Sequence, residues 1–215
     1  DQSFVLYSLG QEELSHLLFP LGEYRKAEVR RLAAERSLPT HDKGESQEIC
    51  FIPNGDYRSF LAQRLSLAPG QIIDLEGKVL GEHQGIALYT IGQRRGLGIA
   101  SKRPLYVIRI DAAANTLVVG PEEELFAFGL IASRVSFVSG EAPQGDIEVN
   151  ARIRYRSPAA RAVLSTRGEF AELHFHEAQR AITPGQAVVF YRGEEVLGGG
   201  IIEGAKQDRS QTKLC

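Results

Sequence analysis

The stretch Ile147-Glu148-Val149-Asn150-Ala151-Arg152-Ile153-Arg154-Tyr155-Arg156 decides the fold. Side chains alternate across a β-strand, so Ile147, Val149, Ala151, Ile153 and Tyr155 share one face and turn into a core. Arg152, Arg154 and Arg156 share the other face. Working outward, apolar runs at 130–138, 161–166, 170–176, 186–191 and 195–202 repeat the strand pattern. Turns fall between them at Gly140, Ser157-Pro158, Arg167-Gly168, Thr183-Pro184-Gly185 and Arg192-Gly193. Six short strands at this spacing predict a small closed β-barrel.

Upstream the pattern is mixed. Leu14, Leu17 and Leu18 have helical spacing within 11–18. The clearest helix is predicted at 23–37, with Val29, Leu32 and Ala33 on one stripe and Arg25, Lys26, Arg30 and Arg31 crowding the rest. That basic face is either a solvated surface or a seat for a phosphate backbone. Asp56 is placed to cap a helix over 56–65. Ile72 to Leu80 and Leu105 to Val119 read as two hairpins around Glu76-Gly77 and Asp111 to Asn115. The fold class expected is therefore α+β, a mixed helical and β-hairpin central region followed by a six-stranded barrel. The tail from Ala205 to Cys215 is polar and without periodicity, which makes Cys215 a bystander.

The totals narrow the class. The 215 residues carry a formal charge of -2, so any basic nucleic-acid surface must be local. Two cysteines, one of them the last residue, argue against a disulfide framework and for a reducing compartment. No apolar run is long enough to span a bilayer. The chain contains no methionine and opens directly on Asp1, which reads as a piece of something longer.

Four stretches carry candidate chemistry. Gly44-Glu45-Ser46-Gln47-Glu48-Ile49-Cys50-Phe51-Ile52 holds the internal cysteine. A thiol beside a charged loop is a candidate nucleophile; inside an apolar strand it is more often a small core residue, and local chemistry leaves both open. Arg152, Arg154 and Arg156, if fully extended, span roughly 13–14 Å and suit a run of phosphates, or simply keep the strand soluble. A bend at the strand end would free Tyr155 to stack on a base. Gly92-Gln93-Arg94-Arg95-Gly96-Leu97-Gly98 lacks the spacing and the strand-then-helix setting of a phosphate loop, and reads as a tight turn presenting Arg94 and Arg95. His174, His176 and Glu172 share a strand face, but exposed polar positions explain them and no metal is expected.

Taken together these segments resemble the tRNA-specific 2-thiouridylases. The resemblance is carried by Asp1-Gln2-Ser3 with Tyr7, Leu18-Phe19-Pro20-Leu21-Gly22, Glu45 to Ile52, Gly81-Glu82-His83-Gln84-Gly85 and Thr90 to Gly98. It continues through Arg154-Tyr155-Arg156, Thr183-Pro184-Gly185-Gln186 and Leu197-Gly198-Gly199-Gly200-Ile201-Ile202. It implies 2-thiolation of the wobble uridine of tRNA by way of an adenylated uridine and a cysteine persulfide. It implies that Cys50 carries the persulfide and closes a transient disulfide with a cysteine outside this chain. Asp1, Gln2, Arg154, Tyr155 and Gln186 are then expected to bind tRNA, with Arg94, Arg95, Arg152 and Arg156 as further contacts.

The resemblance, together with a composition shift near Pro121 to Leu125 and the polar tail, suggests a domain plan. Residues 1–62 would be a remnant of a nucleotide-binding domain, interleaved with central-domain helices at about 15–37. Residues 63–124 would be the central domain, 125–205 the barrel and 206–215 a disordered tail. ATP and magnesium belong to a Ser-Gly-Gly-x-Asp-Ser loop that these residues lack, so no cofactor is expected on this chain and the chain alone is expected to be inactive. Expected partners are the tRNA anticodon arm and a sulfur-carrier protein, with no membrane, for a monomer in the bacterial cytoplasm or, alternatively, the mitochondrion. Two other readings remain: an RNA-binding module with a structural cysteine, and a stand-alone sulfurtransferase.

Overall fold

The computed structural model describes residues 3–42, 52 and 56–206. The chain divides into two compact units, the described residues of Ser15–Ser66 and those of Asp1–Leu14 with Leu67–Cys215.

The first unit is helical. Helix α2, Lys26–Glu35, starts where the Glu28 carboxylate accepts the Arg25 amide at 2.7 Å. It ends one turn before Pro39. The Ser37 amide bonds the Ala34 carbonyl and the Leu38 amide bonds the Ala33 carbonyl, with Ser37 left-handed at φ 54°. That is a Schellman stop, which satisfies the last carbonyls without glycine. The expected stripe of Val29, Leu32 and Ala33 is only half-buried. Helix α3, Tyr57–Ala62, is capped by Asp56, whose carboxylate accepts the Ser59 amide at 3.1 Å. The helix expected at 11–18 is shorter: α1 covers Gln11–Ser15, and all of it but Ser15 belongs to the second unit.

In the second unit, the two hairpins expected from sequence form one four-stranded sheet in the order β2-β1-β4-β3. Strands β1 (Gly70–Ile73) and β2 (Val79–His83) pair antiparallel, as do β3 (Tyr106–Asp111) and β4 (Thr116–Gly120). Parallel pairing of β1 with β4 joins them. Buried His83 adds a clip: its Nδ1 accepts the Gly85 amide, so Nε2 carries the proton given to the Asn115 carbonyl at 3.1 Å.

The barrel follows as expected. Strands β5 (Phe126–Phe137), β6 (Ile147–Arg152), β7 (Ala160–Arg167), β8 (Phe170–Arg180), β9 (Ala187–Arg192) and β10 (Glu195–Lys206) close in the order β10-β5-β8-β7-β6-β9. Its core interleaves Leu130, Val149, Leu164, Leu173, Phe175, Val188, Phe190 and Ile202, all nearly inaccessible. At Gly199 a Cβ would stand 2.5 Å from the Val188 carbonyl oxygen and 2.5 Å from Tyr7 Cδ2. The missing side chain is what lets the N-terminal segment lie on β10.

One expectation fails at the deciding strand. β6 stops at Arg152, and 153–156 bend into a turn in which the Ser157 amide and hydroxyl both donate to the Arg154 carbonyl. Pro158 has no amide for a ladder, so the strand cannot continue through it. Arg152, Arg154 and Arg156 therefore do not form one straight row, and Tyr155 does not enter the core; it is 40% exposed.

Candidate nucleic-acid interface

The bend after β6 opens a cleft of about 390 Å³ lined by Phe4, Arg154, Tyr155, Arg156 and Gln186. Three distant segments meet there. Phe4 belongs to a short 3-10 turn, Ser3–Val5, and packs on β9 with Val189 and Tyr191. Its ring meets Tyr155 edge-on, with centroids 5.9 Å apart. That contact steadies the Tyr155 ring and leaves much of it in solvent.

Gln186 arrives from Thr183-Pro184-Gly185-Gln186. The Gln186 amide donates to the Thr183 carbonyl and Gly185 sits at φ 82°. Proline second and a left-handed glycine third are what a type II turn requires. The turn is anchored to β10, since the Ile202 amide donates to the Gln186 carbonyl at 2.8 Å. The side-chain Oε1 of Gln186 is buried and accepts no hydrogen bond among the described residues. A buried acceptor left without a donor is costly, and a donor brought by a ligand would satisfy it once the amide turns.

Arg154 is partly committed to the fold. Its Nη2 donates to the Ala181 carbonyl and reaches the Arg180 carbonyl at 3.4 Å. Ala181 is left-handed at φ 54°, a strained conformation for a residue with a Cβ. The Leu125 carbonyl accepts the Ala181 amide at 2.7 Å and completes the clamp. Burial, and then the like charge of Arg180, push the Arg154 guanidinium down from its ordinary value. A guanidinium remains a cation in proteins, so Arg154 still brings positive charge to the cleft.

Arg156 is exposed at the rim. Arg152 lines an adjoining cleft with Ser3 and Tyr191. Arg94 and Arg95 are exposed on the turn after Gly92, where Gln93 braces the backbone by accepting the Thr90 amide and donating to the Arg95 carbonyl. Arg94 faces a separate hollow shared with Arg103. Asp1, Gln2 and Cys50 lie outside the described residues. Phe4 and the Arg180–Ala181 clamp were not singled out from sequence; the Asp1-Gln2-Ser3 block and the run into Thr183-Pro184-Gly185 are the signals nearest to them.

Three family models match in succession. Residues 1–54 match a tRNA methyl transferase HUP domain, 58–121 a tRNA methyl transferase PRC-barrel domain and 128–202 an aminomethyltransferase beta-barrel domain. A relative from Roseiflexus castenholzii, named tRNA-specific 2-thiouridylase MnmA, is 54% identical over 205 residues, covering 94% of this chain and 55% of its own. A Synechococcus relative of the same name is 54% identical, covering 94% and 56%, and a Caldanaerobacter subterraneus relative, MnmA 1, is 50% identical, covering 94% and 57%.

The chain belongs to the tRNA-specific 2-thiouridylase family.

It spans a little over half the length of the curated relatives it matches. The turn from Gly92 to Gly98 offers a nucleotide's phosphates no seat. Gly92, Gly96 and Gly98 are left-handed, but the chain runs from them toward β3 rather than into a helix whose amides would meet a phosphate. ATP and magnesium are therefore not assigned to this turn. Among the described residues no group of three histidine, cysteine, aspartate or glutamate side chains is placed to hold a metal. His176 bonds Glu148 at 3.1 Å, Glu172 pairs with Lys206 and His174 stacks on Phe128. Among the described residues no helix is long and apolar enough to cross a membrane.

Proposed function

We propose that this chain supplies the tRNA-binding barrel and the sulfur-bearing cysteine of an enzyme that forms 2-thiouridine at the wobble position of tRNA. The observation that carries the reading is convergence. Arg154, Tyr155 and Gln186, expected from the family resemblance to touch tRNA, stand around one cleft although more than thirty residues separate the first from the last. An exposed aromatic ring, two guanidiniums and an amide side chain are what unpaired RNA requires: a stacking face, phosphate partners and a base-reading edge.

Cys50 takes the covalent role. Its persulfide thiolate attacks C2 of the activated uridine, and the C2 oxygen departs with the activating group. A second cysteine outside this chain attacks Cys50 Sγ; the S–S bond of the persulfide linkage breaks, the sulfur stays on uridine and a disulfide remains. An external thiol reduces that disulfide before the next cycle. A thiolate is the nucleophile in each exchange, so the chemistry needs cysteine rather than serine. A carrier protein delivers the sulfur, and the enzyme works as a cytoplasmic monomer. Activation of uridine by ATP falls to a nucleotide-binding portion that these residues do not contain.

The test is Cys50→Ser in a protein that joins this chain to that portion. Mass spectrometry of the tRNA is expected to find no 2-thiouridine, while tRNA affinity stays within about twofold, because the substitution leaves the phosphate contacts intact. Normal thiolation by the variant would overturn the role of Cys50 and leave an RNA-binding module with a structural cysteine.

A further inference from the structure

A second cleft adjoins the first, and its chemistry differs. It measures about 430 Å³, and Ser3, Asn150, Arg152, Tyr191 and Glu194 line it. Ser3 and Phe4 are consecutive and each lines one of the two clefts, so a single short turn separates them.

The floor is fixed. Tyr191 is 5% exposed on β9, and its hydroxyl lies 3.4 Å from Ser3 Oγ. The Arg152 guanidinium lies over the Tyr191 ring, 5.1 Å from its centroid. A guanidinium held on an aromatic ring is a planar cation of set orientation, and nucleobases stack on such planes. Asn150 sits directly opposite Tyr191 in the β6–β9 ladder and two residues before Arg152, on the same outward face. Its amide offers both a donor and an acceptor. Glu194, exposed on the β9–β10 turn, supplies the one carboxylate of the lining. That carboxylate repels a phosphate and accepts from an amino group.

We infer that this cleft is a nucleotide subsite for an unpaired ribonucleotide whose base carries an exocyclic amino group. The base stacks on Arg152 above Tyr191 and presents its amino edge to Glu194 and Asn150. The cleft has the size of a small-molecule site, for which about 300–1,000 Å³ is usual. The inference rests on the tRNA-binding reading and extends it: the first cleft is cationic and takes phosphate with one base, and the second discriminates among bases.

Fluorescence anisotropy on the 215-residue chain tests it, with two anticodon stem–loop RNAs. One has an all-uridine loop; the other has adenosine and cytidine in the loop. The chain is expected to bind the second at least about fivefold tighter, as expected of one polar base-edge contact. Arg152→Lys keeps the charge and loses the plane, and is expected to weaken binding of that loop about tenfold without changing the salt slope. Glu194→Gln, at an exposed position of the β9–β10 turn, is expected to shrink the preference to under about twofold. Equal affinity of the unmodified chain for both loops overturns the subsite. So do Arg152→Lys and Glu194→Gln variants that behave like the unmodified chain. In either case the tRNA reading stands provided Arg156→Ala still weakens binding. No binding of either RNA at any salt concentration takes down both.

Discussion

Arg154 holds two jobs at the scale of one residue. Its guanidinium lines the cleft, and one of its nitrogens donates to the carbonyl of strained Ala181. The two jobs separate by substitution. Arg154→Ala removes the charge and leaves the Ala181 carbonyl with the Thr183 hydroxyl as its remaining side-chain donor. The expected stability loss is about 1–3 kcal/mol in denaturant unfolding, the cost of an under-satisfied buried polar group. Arg154→Lys keeps the charge, but its ammonium sits on a shorter stem and falls short of the place where Nη2 meets the two carbonyls. It is expected to recover most of the salt-dependent tRNA binding and little of the stability. A lysine variant as stable as the parent would mean that the clamp contributes nothing. The sequence showed Arg154 as cationic and on a strand, but not that it reaches across to the end of β8. That contact depends on the chain bending at Ile153, and on a left-handed alanine no propensity would place there.

At the scale of elements, helix α3 carries a titrating cap. The Ser59 hydroxyl and amide both donate to the Asp56 carboxylate and hold it below the ordinary carboxylate range. A folded-state value below the unfolded one adds stability that is complete above the unfolded value, about 3.9, and is lost as pH falls through the lower folded value. Helicity of the Ser15–Ser66 unit is therefore expected to fall on acidification below about pH 4. Asp56→Asn keeps an acceptor without the charge and should flatten this dependence in circular dichroism; an unchanged acid transition would contradict the assignment. This cap was legible because an aspartate before an aromatic-aliphatic run is a local signal. The six barrel strands were legible for the same kind of reason, since each writes its own alternation and turn. The end of β6 was missed because alternation persists formally through Tyr155, while Pro158 and the Ser157–Arg154 bonds end the strand. The parallel pairing of β1 with β4 was missed because partner choice between hairpins is non-local.

At the scale of the molecule, a chain with a formal charge of -2 binds polyanionic RNA only if its cations are gathered. The barrel brings Arg154 and Arg156 to one cleft and Arg152 to the next, where β6 ends, the 183–186 turn emerges and the N-terminal segment crosses β9. Cys50 lies outside the described residues, so its role rests on the family and on thiol chemistry, whereas the cleft rests on geometry. The central claim is that this cleft is where tRNA binds. The most direct measurement is the dissociation constant of tRNA from the chain at several salt concentrations, for the unmodified sequence and for Arg156→Ala, whose side chain is exposed at the rim. The account predicts affinity that falls steeply with salt, and a logarithmic slope shallower by about one in the variant, one phosphate contact having been removed. Identical slopes, or affinity indifferent to salt, would contradict it.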